Sequence, residues 1–370
     1  MTQTSFEIFL AIAPGLEPAL LAETQAAGFE GAKITPGGVS IMGDWQDVWR
    51  ANLTLRTATR VLARIGEFRA FHLAQLDKRA RKFPWGDALR ADHPIRVEVT
   101  TNKKSKIYHA GAAKQRVETA IKESLGASIS AEAEICLKLR IDDNNCVFSV
   151  DTTGESLHKR GHKVAVNKAP MRETLAAGFL RDMGYDGSQA VLDPMCGSGT
   201  FILEAAEIAA GLLPGRTRSF AFEKLMTFDR GAFEHLKENS PVLPDARFFG
   251  SDRDQGAVQM SQKNADRAGL ADCTRFEMCA VSDLQRPDCT PGIVIVNPPY
   301  GTRIGNKKLL FGLYGALGKT LLERFSGWRV GIVTSDTGLA RATGLKFTSE
   351  GKPIPNGGLT VKLFQTGKLP

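Results

Sequence analysis

Cysteine and histidine are scarce, six of each in 370 residues, and no two cysteines form a C-x-x-C pair. Zinc-site spacings and a disulfide framework are thereby excluded, so no metal is expected and the thiols read as those of a reduced, cytoplasmic protein. No apolar run approaches the ~20 residues that span a bilayer, and no cleavable signal segment is recognisable. The basic stretches lack a strongly hydrophobic amphipathic helix beside them, which argues against a membrane partner. Internal repeats and low-complexity tracts are absent as well. No Ser/His/Asp arrangement for nucleophilic catalysis can be drawn from the sequence.

What is present is charge in one place. Lysine and arginine number 48 against 40 aspartate and glutamate, a formal +8 with a sequence pI near 9.2. Residues 50–122 alone hold 17 basic and 6 acidic side chains, net +11, leaving 31 minus 34, or −3, for the remainder. The excess includes Lys78-Arg79-Ala80-Arg81-Lys82 on an amphipathic segment and Lys103-Lys104-Ser105-Lys106 after the strand-like run 95–100. Such a surface gains affinity for polyphosphate by counterion release with little base specificity. A solvated basic face without a partner is the plainer alternative.

Two short runs about a hundred residues apart carry the chemistry. The first, Asp193-Pro194-Met195-Cys196-Gly197-Ser198-Gly199-Thr200, lies between the apolar segment 189–192 and the helical pattern 201–210. An apolar strand thus ends in a glycine-rich turn that opens a helix. Gly197 and Gly199 allow close backbone approach to a ligand, and the free N–H groups at the helix start favour an anionic group such as a carboxylate. A tight turn without a ligand remains the alternative for a lone G-x-G. Phosphate ligands lose ground. Ile202 stands where the dinucleotide fingerprint needs Gly or Ala, and the Gly-Lys-Ser/Thr of a P-loop is missing.

The second run, Asn297-Pro298-Pro299-Tyr300-Gly301, follows the unbroken apolar stretch Ile293-Val294-Ile295-Val296. That stretch suits a parallel strand covered on both faces, and open α/β sheets bind ligands where such strands end. The two prolines restrict Asn297 and Pro298 to few conformations. The Asn297 side-chain oxygen and the Pro298 carbonyl can accept hydrogen bonds from an exocyclic NH2 group while Tyr300 stacks on the base that carries it. Two acceptors pulling on those hydrogens restore sp3 character to a delocalised amine and aim its lone pair at an electrophilic methyl group. A proline-capped strand end with a half-buried tyrosine is the bland alternative.

On these residues the chain resembles class I S-adenosylmethionine-dependent methyltransferases that modify exocyclic amines, whose acceptor motif is (Asn/Asp/Ser)-Pro-Pro-(Tyr/Phe/Trp). More narrowly it resembles the THUMP-domain RNA guanine-N2 methyltransferases, in which the motif continues as Asn-Pro-Pro-Tyr-Gly with a nearby Arg, matched by Gly301 and Arg303. The likeness extends through His158-Lys159-Arg160-Gly161, Ala169-Pro170-Met171-Arg172-Glu173-Thr174-Leu175-Ala176-Ala177 and the insert ending Phe220-Ala221-Phe222-Glu223-Lys224. The resemblance implies S-adenosylmethionine as cofactor, with its methionine moiety against Asp193, Gly197, Gly199 and Thr200 and its ribose hydroxyls on Asp252. It implies Asn297, Pro298, Pro299 and Tyr300 as the catalytic set, and Lys103, Lys104, Lys106, Lys114, Arg116 and Arg303 as RNA contacts. One departure stands out: where many relatives carry an acid near the adenine, this chain has Ala280, with Asp283 nearby. Cys196 reads as a small buried spacer, because pyrimidine-C5 chemistry places its cysteine directly after the Pro-Pro pair, where Tyr300 stands.

The expected fold class is α/β, a doubly wound Rossmann-like methyltransferase sheet preceded by an α+β region. The expected divisions are a ferredoxin-like cap at 1–55, a THUMP-like RNA-binding domain at 56–154, a polar linker at 155–166 and the methyltransferase domain at 167–370. Within them a helix is expected at 110–125 and a hairpin about Asp142-Asp143-Asn144-Asn145, and Asp254 is the better helix cap beside Asp252. By resemblance the substrate is large-subunit ribosomal RNA, with transfer RNA as runner-up. DNA adenine-N6 methylation and a non-catalytic assembly role are the alternatives from other classes.

Overall fold

The structure, a computed structural model, describes residues 5–163, 171–245, 247–301 and 307–370, the side chain of residue 307 excepted. The chain forms two compact units, the first of Met1–Ile12, Leu21–Leu157 and Arg218–Glu238, the second of Ala13–Leu20, His158–Thr217 and Asn239–Pro370.

The first unit is built on strands β1 (Phe6–Ala11), β2 (Lys33–Thr35), β3 (Gly38–Gly43), β4 (Arg60–Arg69), β5 (Ile95–Thr101), β6 (Ile135–Asp142) and β7 (Asn145–Asp151). They form one seven-stranded sheet in the order β2-β3-β1-β4-β7-β6-β5. Helices α2 (Trp45–Thr54), α3 (Leu73–Ala80) and α4 (Ala110–Ser124) punctuate it, and α1 (Glu17–Ala26) belongs to this unit from Leu21 onward. The hairpin between β6 and β7 turns on Asp143 and Asn144 at φ +46° and +62°. Both residue types tolerate the left-handed conformation that a two-residue hairpin turn needs. Asp44 starts α2 with a full capping box, its carboxylate accepting from the Gln46 and Asp47 N–H groups. The insert Arg218–Glu238 delivers Phe222 and Phe228 against Trp49, with ring centroids 6.2 and 5.7 Å away, so those apolar side chains bury within this unit.

The second unit carries β8 (Val191–Asp193), β9 (Phe248–Asp252), β10 (Thr274–Met278), β11 (Ile293–Val296), β12 (Arg329–Thr334), β13 (Phe347–Glu350), β14 (Ile354–Asn356) and β15 (Leu359–Lys368). Its main path runs β10-β9-β8-β11-β12-β15-β13, with β14 paired to β15. The pairs from β10 to β12 are parallel, and β15 is antiparallel to both β12 and β13. Helices α5 (Glu173–Asp182), α6 (Thr200–Ala209), α8 (Gln255–Ala268), α9 (Lys307–Arg324) and α10 (Thr337–Ala342) belong to this unit, and α7 (Arg230–Lys237) to the first. All four residues of β11 are fully buried, as a central parallel strand requires. The order reverses between β8 and β11, and Val191 and Leu192 pair with Ile293 and Val294. That reversal is the topological switch point at which such sheets bind ligands.

The run expected as a polar linker is only partly solvated in its described part, with Glu155, Lys159 and Gly161 exposed. Arg160 and His162 are buried. Arg160 lies 3.3 Å from Glu204, His162 Nδ1 lies 3.6 Å from Glu207, and Lys163 lies 3.1 Å from Glu173. Arg160 and Lys163 serve as partners for carboxylates on α6 and α5, as a buried charge requires, whereas burial lowers the His162 pKa and keeps that ring neutral.

Candidate active site

The strand β8 ends on Asp193, which is enclosed, with Oδ1 accepting from the Met195 N–H at 3.0 Å. Burial is the main reason its carboxyl is pushed up to about 8; the Met195 bond opposes this and the Asp252 charge adds to it. The glycine turn that follows is fastened from several sides. Gly197 N–H donates to Asp252 Oδ2 at 3.1 Å, Ser261 Oγ donates to the Gly197 carbonyl at 2.9 Å, and Asn264 Nδ2 donates to the Ser198 carbonyl at 3.0 Å. Gly197 and Gly199 sit at φ +56° and +82°, conformations that L side chains rarely adopt. A Cβ on Gly197 would meet no protein atom within 4 Å, so that face of the backbone is open. Gly199 caps α6 without a side-chain bond, leaving Thr200 as the first helical residue. Cys196 is buried, which raises its thiol pKa, and its Sγ lies 3.7 Å from Ser261 Oγ. A thiol so placed is a packing group rather than a nucleophile.

Next to this turn, β11 delivers Asn297, whose Oδ1 is buried without a hydrogen-bond partner among the described residues. Tyr300 is only 2% exposed, and its hydroxyl accepts from Asn356 Nδ2 at 3.2 Å. Beneath it the Tyr314 hydroxyl reaches the Pro299 carbonyl at 3.4 Å and Thr334 Oγ1 at 3.1 Å. The acceptor motif is therefore braced from β14 and from α9.

A cavity of about 610 Å3 joins the two runs. Asp193, Gly197, Thr200, Asp252, Asn297, Pro298, Pro299 and Tyr300 all line it, whereas Gly199 does not. Cys279, Ala280, Val281 and Ser282 close one side without a carboxylate, and Asp283 is not among the lining residues. Asp252 also accepts from the Asp254 N–H at 3.0 Å, while Asp254 caps α8 through Gly256. Lining residues that the sequence reading passed over include Met171, Phe201 and, on α9, Leu309, Leu313 and Ala316. The i, i+4, i+7 spacing of the last three was a helical-face signal available in the sequence.

The basic residues fall elsewhere, in the first unit. Lys103, Lys104 and Lys106 are exposed together on the loop from β5 to α4, with Lys106 Nζ 5.5 Å from the Phe71 ring. Lys114 and Arg116 follow on α4; two positions apart on a helix, they point to different sides. Lys114 lies 3.7 Å from Glu118, and Arg81 is already engaged by Asp77 and Glu123, which reduces their free charge. Arg303 lies outside the described residues.

Residues 160–363 match the family described as RMKL-like, methyltransferase domain, more than half of the chain. The chain belongs to the RMKL-like methyltransferase family. Residues 7–62 match the RlmL ferredoxin-like domain. A Synechocystis protein named "Putative RNA methyltransferase slr0064" is 30% identical over 98% of this chain and 97% of its own length. The ribosomal RNA large subunit methyltransferase K/L of Syntrophotalea carbinolica is 35% identical over 96% of this chain, which spans only 53% of that relative. Among solved structures, a "predicted N6-adenine-specific DNA methylase" from Listeria monocytogenes aligns at TM-score 0.87 with 28% identity, covering 99% of this chain and 97% of that one. "SMU.472, a putative methyltransferase complexed with SAH" aligns at 0.86 with 26% identity, covering both chains completely. The RMKL-like chain described here is an S-adenosylmethionine-dependent methyltransferase. Its cavity suits that donor: an enclosed carboxyl, an open glycine backbone, an uncapped helix start and a second carboxylate line one continuous space.

Proposed function

We propose that the protein transfers a methyl group to the exocyclic N2 amine of a guanosine in RNA, with large-subunit ribosomal RNA as the substrate and the cytoplasm as the place of action. The observation that carries this reading is the buried Oδ1 of Asn297 on the cavity wall, which has no hydrogen-bond partner among the described residues. A buried acceptor without a donor costs about 1–3 kcal/mol. An incoming NH2 group repays that cost and presents its lone pair to the donor side of the same cavity. The S-adenosylmethionine sulfonium supplies an activated methyl group. Asn297 Oδ1 and the Pro298 carbonyl hold the amine hydrogens, and Tyr300, its hydroxyl anchored by Asn356, offers a fixed ring on which the base stacks. The carboxyl side chains lining the cavity, Asp193 and Asp252, belong to the donor half, so the amine reacts without a strong general base and loses its proton after transfer.

The names of the relatives support RNA, and the K/L relatives support large-subunit ribosomal RNA in particular. The exposed Lys103, Lys104 and Lys106, with Lys114, Arg116 and Arg303, would hold the backbone of a base-flipped substrate, residues 56–154 acting as a THUMP-like RNA-binding domain. In this division 1–55 is the ferredoxin-like cap, 155–166 the connection and 167–370 the methyltransferase domain. Adenine N6 in DNA is the second reading, favoured by the name of the Listeria neighbour, because the same acceptors fit that amine. The test is transfer of labelled methyl to total RNA and to DNA from a strain lacking the protein, followed by digestion to nucleosides. N2-methylguanosine in large-subunit RNA supports the proposal. Label in transfer RNA changes the substrate, and N6-methyladenine in DNA replaces the reading.

A further inference from the structure

Lys163 stands behind the donor half of the cavity with its side chain 5% exposed. Its Nζ donates to Thr200 Oγ1 at 2.8 Å and to the Met171 carbonyl at 3.1 Å, and it lies 3.1 Å from Glu173 Oε1. Three acceptors meet the three donors of the ammonium. Glu173 offsets its charge, so its effect on a ligand acts through the hydrogen bonds it imposes rather than through a free positive charge.

Thr200 and Met171 both line the cavity. Because Lys163 occupies the Thr200 oxygen as an acceptor, the hydroxyl proton must point elsewhere. Among the described residues its acceptor is the Met171 carbonyl at 3.5 Å, the outer limit of a hydrogen bond, which it shares with Lys163. A carboxylate in the cavity at the start of α6, where Gly199 provides no side-chain cap and the helix-start N–H groups favour an anion, is the better acceptor for that proton. The methyl donor carries one anionic group, its carboxylate.

We propose that Lys163 is a positioning residue for the donor: it turns the Thr200 hydroxyl into a hydrogen-bond donor aimed at the carboxylate of S-adenosylmethionine. The proposal rests on the donor assignment and is independent of which base is methylated. It is tested by calorimetric binding of S-adenosylmethionine and of its decarboxylated form to the full chain, for the wild type, Lys163→Met, Thr200→Val and the double variant. Lys163→Met is expected to weaken S-adenosylmethionine about ten-fold, the scale of one hydrogen bond to a charged group, and to leave the decarboxylated form within about two-fold. In the Thr200→Val background the same change should add less than about two-fold, because the two residues act as one unit. Equal weakening of both ligands would reduce Lys163 to a structural role and overturn the proposal, as would independent, additive losses. Should Lys163→Met fail to fold, Thr200→Val and Thr200→Ser carry the test: only the valine variant should lose affinity, and only for the carboxylated ligand. A wild type that binds neither ligand would overturn the donor assignment itself.

Discussion

Asn297→Ala separates chemistry from binding and stability more sharply than any other single change. The substitution removes an acceptor that the folded protein leaves without a partner among the described residues, so no native hydrogen bond is lost with Oδ1. Relief of that unsatisfied atom, about 1–3 kcal/mol, opposes the loss of side-chain packing, and the net stability change should stay within about 1 kcal/mol. In the proposed transition state the oxygen accepts a hydrogen bond from the amine, and removal of one preorganised partner of this kind costs about 100- to 1000-fold in kcat, about 2.7–4 kcal/mol. Donor affinity should move less than about two-fold, because Asp193, Thr200 and Asp252 line the other half of the cavity. The assays are urea unfolding, calorimetric donor binding and single-turnover methylation on the same preparation. A large fall in stability or donor affinity, or an unchanged rate, would refute the assignment of Asn297 to the amine.

Asp193 is expected to make donor binding depend on pH. Its carboxyl is held near 8 by burial, and the donor's ammonium requires it ionised, so at pH 7 binding should release close to one proton and affinity should fall as pH drops below about 8; calorimetry in buffers of different ionisation heat measures this, and Asp193→Asn should abolish it. The sign for stability follows from the same shift: the folded carboxyl binds its proton more tightly than the unfolded one, so its contribution is full below about pH 4 and lost as pH rises through about 8, a slope that Asp193→Asn should flatten in denaturant titrations. Reversal of charge at Lys103, Lys104 and Lys106 should weaken RNA binding at every sequence and lower the slope of log affinity against log salt by about 2–3, and an unchanged slope would remove this loop from the interface. Cys196→Ala should retain methyl transfer within a few-fold, since the buried thiol with its raised pKa is no nucleophile; complete inactivation with intact folding would contradict that.

Much of the fold was readable because local chemistry and global architecture agree. Asp143 and Asn144 were suited to the hairpin turn they make, Asp254 caps the helix it was expected to cap, and the wholly apolar Ile293–Val296 became the buried central strand. The segment 155–163 was only partly legible, for a physical reason. Polar composition reports solvent only when charges lack partners, and the acids that receive Arg160 and Lys163 lie on α6 and α5, 44 and 10 positions further along the chain. The insert Arg218–Glu238 is a second case: its aromatic side chains announce burial, yet nothing in their order says that the first unit supplies Trp49 as their neighbour.

By itself the sequence determined the inventory and its local shapes. A strand ends in a glycine turn that opens a helix, a second strand ends in a stiff Asn-Pro-Pro-Tyr, and positive charge is concentrated in residues 50–122. These follow from backbone freedom at glycine, its loss at proline and the periodicity of apolar residues, all of which act over a few positions. Only the tertiary structure decided that β8 and β11 are neighbours across the point where strand order reverses, so that residues about a hundred apart share one cavity. It alone enclosed Asp193, left Asn297 Oδ1 without a partner among the described residues and set Lys163 against Thr200. Burial and the pairing of charge are properties of what the rest of the chain brings to a residue, and that is settled by packing.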